Sequence, residues 1–216
     1  PAIFEHLAGW MYIVWGAEVL WAPRVVSALL WGVGGLAVLA MARRQWGANI
    51  AILSAAVFWF APLGIVASRS FQPDAPMTVA VAVSLCAVRG WCDTQKHTSL
   101  VVGLVAGGMA VCLKPMALFV LVPAIGWMVA CGGKTTRHGW RGTMAIALMS
   151  LALILTGGWW WWWVEPDIHS WVNFIQPELW LDRSTWMGAL RLLRIGYSPL
   201  LLVLALCGVA LSLWSL

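Results

Sequence analysis

Charged residues make up only 10% of this 216-residue chain, so the side chains able to do chemistry are few. Lys114 followed by Pro115 closes a long apolar run. An ammonium at such a place is costly unless it reaches water, a partner or an anion. At the end of a run it can snorkel out, and Pro115 breaks the helix and frees a carbonyl nearby. A compact point charge of this kind suits a lipid phosphate; the competing reading is a Lys that only anchors the helix at the interface. Arg69-Ser70-Phe71-Gln72-Pro73-Asp74 places a base and an acid in a turn stiffened by Pro73 and Pro76. Such a turn could hold a polar headgroup or a sugar, or Asp74 could be an ordinary salt-bridged cap of the following helix. Glu5 and His6 are adjacent in an apolar segment and could contact a metal or a polar substrate, but two residues do not make a metal site. Arg191 and Arg194 lie three apart, on one helix face if that stretch is helical, and could flank a phosphate, with anchoring to headgroups as the simpler account.

The elements that must position these residues follow from composition. The chain is 62% hydrophobic with a mean hydropathy of +0.86, against about 45–50% apolar residues in a soluble domain. This excludes a soluble enzyme and a disordered or collagen-like chain and predicts an all-α, polytopic transmembrane bundle forming a single membrane domain over residues 1–216. A span needs about 20 mostly apolar residues, and about seven stretches approach that length. They are Val25–Met41, Ala48–Ala67, Pro76–Val88, Leu100–Leu113, Met116–Cys131, Thr143–Val164 and Tyr197–Leu216. Ile3–Leu20 reads as either a further span or a juxtamembrane helix lying in the interface.

Loop charges give the orientation. Arg43, Arg44, Arg89, Lys96, Lys134, Arg137 and Arg141 fall on one side, opposed only by Asp93. On the other side Arg24, Arg69, Lys114, Arg183, Arg191 and Arg194 are nearly cancelled by Glu18, Asp74, Glu165, Asp167, Glu178 and Asp182. The positive-inside rule makes the first set cytoplasmic, and the alternation supports the count of spans. The net charge of +5 is thereby accounted for by membrane topology, without nucleic acid as a partner. Five cysteines without a CxxC spacing indicate neither a zinc site nor a disulfide framework. No cofactor is assigned.

The outer loop 165–194 carries Trp171, Trp180 and Trp186 and could shape a binding site over the membrane, or be a solvated connection with a surface helix. Trp159–Trp163 points all round a helix and fits an aromatic belt better than a stacking platform. Gly103, Gly107 and Gly108, with Gly32 and Gly35, permit close helix approach.

The order of these features resembles the membrane-embedded GT-C glycosyltransferases that use polyprenyl-phosphate sugars, in the group of the dolichyl-phosphate-mannose protein mannosyltransferases and the aminoarabinose transferases of lipid A. Pro1–Leu7 is similar to the tail of the family's "(H/K)-P-P-L-Y-Y" stretch, and Trp21–Leu29 to its "ALRLLSAL" stretch. Ala67–Asp74 looks like "YSRxxxPD", and Gly103–Pro115 looks like "GLxxGLAxLTKxP". The resemblance covers residues 1–164. It implies transfer of a sugar from a polyprenyl-phosphate donor to a lipid, glycan or protein acceptor, at the outer face of the bacterial inner membrane. It also implies roles: Lys114 binds or orients the lipid phosphate, Arg69 assists, and Asp74 positions a polar group or a nearby basic residue. Glu5 and His6 join them as candidate substrate-binding residues. The family's catalytic acid precedes the stretch matching Pro1, so the chain is expected to be an N-terminally truncated piece of a larger transferase. Two other readings stand beside this one. A transporter or flippase would show discontinuous helices and buried charges near the midplane. An assembly subunit would need no catalytic acid.

Overall fold

The computed structural model describes residues 2–16, 21–69, 72–131, 151–159, 182–184, 186–188 and 203. Among them every regular element is helical and there is no strand. The helices are α1 (Ala2–Trp15), α2 (Trp21–Trp46), α3 (Ala48–Phe60), α4 (Pro62–Arg69), α5 (Asp74–Thr94), α6 (His97–Leu113) and α7 (Leu118–Cys131), with a 3-10 turn at Pro115–Ala117 between the last two. Residues 151–159 form a further helical stretch.

Two of these helices, α2 and α5, are long and apolar enough to cross a membrane, and α3, α6 and Pro115–Met128 are shorter apolar helices. At 1.5 Å per residue α5 spans about 31 Å, matching a hydrocarbon core of about 30 Å. Large apolar side chains such as Leu29, Phe60, Phe119 and Val120 face outward. An outer surface of that kind suits lipid, since water-soluble proteins rarely expose contiguous apolar patches of this extent. The protein is membrane-associated.

Two of the expected spans differ, each for a local reason. The stretch Ala48–Ala67 is not one helix but two. Pro62 cannot donate to the carbonyl four residues back, and Ala61 before it adopts an extended backbone (φ −58°, ψ 136°). The Trp31 indole N–H donates to that Phe58 carbonyl at 3.2 Å, and the two rings stack at 4.4 Å. The stretch Pro76–Val88 extends well past Arg89, because Arg89 pairs with Asp93 one turn on (3.2 Å) and Thr94 Oγ1 bonds the Gly90 carbonyl. It stops at Gln95, whose φ of 56° is left-handed. The apolar N-terminal stretch is helical from Ala2 to Trp15. Of the spans expected at Thr143–Val164 and Tyr197–Leu216 only residues 151–159 and 203 are described, and the Trp160–Trp163 part of the Trp run, the Arg191/Arg194 pair and most of the 165–194 loop lie outside the described residues.

Helix α5 is the centre. It runs parallel to α2, with Val79 beside Gly34, and antiparallel to α6, where Ser84 Oγ donates to the Gly103 carbonyl at 2.8 Å. Gly107 carries out the close approach its spacing predicts: a Cβ there would lie 3.0 Å from Ser84 Oγ and 2.9 Å from Leu153. Val88, Val111, Leu121, Ile125 and Leu153 form the main core between α5, α6, α7 and the 151–159 stretch. A smaller cluster of Trp31, Ala75 and Val79 joins α2 to α5. Trp31, only 9% exposed, and Trp91, 6% exposed, are core residues and not belt residues.

Candidate functional site

The antiparallel pairing of α5 and α6 brings the first residue of one beside the end of the other. Pro73 sets the start of α5 with φ −65°, and Asp74 follows in the first turn. Its carboxylate is favoured there by the helix dipole, and its own carbonyl accepts the Thr78 hydroxyl at 2.8 Å. At the far end of α6, Lys114 precedes a proline, which pushes its backbone out of the helical region (φ −153°, ψ 125°). Its N–H still bonds the Ala110 carbonyl, and its own carbonyl accepts the Ala117 N–H, both at 3.0 Å. The extended residue between two helical segments turns the Lys114 side chain toward α5. Nζ donates to Asp74 Oδ1 at 2.5 Å, across 40 residues of sequence. The side chains remain 31% and 44% exposed, so both stay open to solvent.

Asp74 also forms part of the lip of a partly open cavity of about 720 Å³ between α2, the α3–α4 break and α5. Trp31, Phe58 and Ala67 are among its apolar walls, and Gln72, Asp74 and Thr78 supply polar groups. The Pro62 break and the Trp31 bond that satisfies it shape one side of this space.

Two of the five candidate residues are thus brought together, Asp74 and Lys114. Asp74 stands in the first turn of α5 with its carboxylate paired to Lys114, and no side-chain hydrogen bond caps the helix. Arg69 is exposed at the last turn of α4 and makes no ion pair among the described residues. Glu5 and His6 lie on α1, with His6 exposed. Among the described residues no group of three His, Cys, Asp or Glu side chains gathers. Trp31, Phe58 and Thr78 went unnoticed in the sequence as cavity residues. The available signal was Pro62, which orphans the Phe58 carbonyl and so calls for a donor.

A family profile described as dolichyl-phosphate-mannose-protein mannosyltransferase matches residues 1–162. Comparisons with curated proteins and with solved structures gave no match. The profile spans all seven labelled helices, including both partners of the Asp74–Lys114 pair, and on this ground the chain belongs to the dolichyl-phosphate-mannose-protein mannosyltransferase family.

Proposed function

We propose that this protein transfers a sugar from a polyprenyl-phosphate donor to a lipid, glycan or protein acceptor at the outer face of a bacterial inner membrane. It is a multi-pass protein of about seven spans with its basic loops in the cytoplasm. The observation that carries the reading is the Lys114–Asp74 pair at a helix break, whose acid lines a cavity. The leaving group of such a transfer is a polyprenyl phosphate, and a fixed cation beside it lowers the energy of the charge that develops. Lys114 is that cation. Asp74 is a positioning residue that keeps the ammonium in place, and exposed Arg69 supplies a second cation nearby in sequence. No nucleotide site is needed, because the activation energy is stored in the lipid-linked sugar.

Among the described residues, the α3–α4 break is a feature that favours a transporter. Its freed carbonyl is taken by Trp31, however, and the ion pair sits at helix ends, not at mid-helix. The deciding experiment measures sugar transfer from polyprenyl-phosphate donors per folded molecule. Lys114→Ala is expected to lower it about tenfold or more, with Lys114→Arg partly restoring it. Equal turnover by wild type and Lys114→Ala would refute the role of Lys114.

A further inference from the structure

The end of the bundle away from Asp74 and Lys114 carries a second charged cluster that the transfer reaction does not use. Along α5, Arg89 lies about 22 Å from Asp74. Here three helix ends converge. Arg43 and Arg44 occupy the last turn of α2, Arg89 and Gly90 the last turns of α5, and Lys96 precedes the first turn of α6. The junction centres on Gly90. A Cβ at that position would lie 2.6 Å from Arg44 Nη1 and 3.8 Å from Ser99 Oγ, so the Arg44 guanidinium is seated over a bare backbone next to a hydroxyl. Asp93 is taken by Arg89. Arg43, Arg44 and Lys96 are exposed and make no ion pair among the described residues. Arg89 Nε is buried without a hydrogen-bond partner. Trp46, 57% exposed, ends α2 beside this cluster and suits the headgroup level.

We infer that this junction binds the phosphate of an anionic phospholipid headgroup, with Arg44 and Lys96 as its main cations and Ser99 as a hydrogen-bond donor. Three observations point to a lipid. The cations lie at the ends of two helices able to cross a bilayer, the flanking surface is apolar, and the exposed Arg44 guanidinium lies against the backbone at Gly90. Arg is suited to a phosphate at such a place because its planar fork presents paired donors. The assignment is independent of the transfer reaction and rests only on the membrane setting.

The test uses the full chain reconstituted in nanodiscs, or in detergent with added lipid. Phosphatidylglycerol and phosphatidylcholine are compared by native mass spectrometry and by the shift in thermal unfolding. Wild type should retain phosphatidylglycerol preferentially. Arg44→Gln and Lys96→Gln should each weaken that preference about fivefold. Gly90→Ala, which displaces Arg44 without removing a charge, should weaken it in the same direction; if that variant does not fold, Arg44→Gln decides alone. Arg24→Gln, at the other end of α2, should change nothing. Equal retention of the two lipids, or an unchanged preference in Arg44→Gln, would overturn the inference. Displacement of the lipid by millimolar inorganic phosphate would overturn it as well, by showing a free-anion site. Sugar transfer is measured in the same variants, so failure of lipid binding and failure of the Lys114 role are read separately.

Discussion

Lys114 and Asp74 show how little of an ion pair's importance lies in its strength. Both side chains keep much of their exposure, so the pair contributes about 0.2–1 kcal/mol to stability at most. In the proposed reaction its value lies in fixing one ammonium at one place. Asp74→Asn is therefore expected to cost no more than about 1 kcal/mol in unfolding free energy, while raising the KM for the polyprenyl-phosphate donor more than it lowers kcat. A large loss of folded protein with no change in KM would mean that the pair is merely structural. The sequence made both residues visible one at a time, as a Lys before a Pro and as an Asp after one. It could not join them, because nothing local to either specifies a partner 40 residues away. The loop-charge tally had placed both at the same membrane face, and that was the nearest it came.

At the scale of the element, the α3–α4 break illustrates one residue creating a demand and another meeting it. Pro62 removes an N–H, the Phe58 carbonyl loses its donor, and Trp31 supplies one from α2. Trp31→Phe keeps the ring stack but leaves the carbonyl unsatisfied, at an expected cost of about 1–3 kcal/mol. Pro62→Ala restores the backbone donor, so in the double variant the loss at Trp31 should shrink. Chemical or thermal unfolding of the four proteins checks this; strict additivity would rule out the shared carbonyl. Helix packing offers a second case. A Cβ at Gly35 would run into the indole of Trp59. Gly35→Ala is thus expected to destabilise by about 1–3 kcal/mol through overpacking between α2 and α3, read as a lower unfolding midpoint. The sequence marked Gly35 as a small residue for close packing, but left Trp59 to a general surplus of tryptophans.

For the whole molecule, α5 sorts charge into two ends. Arg89 lies toward one end with Arg44, and Asp74 lies at the other with Lys114. In a cysteine-free background, Gln72→Cys and Thr98→Cys, both at exposed positions, should react with a membrane-impermeant maleimide from opposite sides of the membrane. Gln72→Cys should label in intact cells and Thr98→Cys only after permeabilisation; labelling of both from the same side would sink the proposed topology.

Several properties were settled by the sequence alone. Excess apolar residues require a helical membrane protein, since in hydrocarbon a helix satisfies its own backbone groups. Pro115 marked the break at Lys114, because the ring constrains the residue before it, whereas Pro62 did not reveal the break at Ala61, since a proline can also sit within a helix, as Pro123 does in α7. The order of short motifs pointed to the same family that the profile match shows over residues 1–162. Tertiary structure alone decided what these features touch. It determined that Asp74 holds Lys114, that Trp31 answers Pro62, and that Arg44 rests on Gly90. Composition and local backbone preference act over a few residues, whereas a side-chain partner is chosen by the register and direction in which distant helices pack.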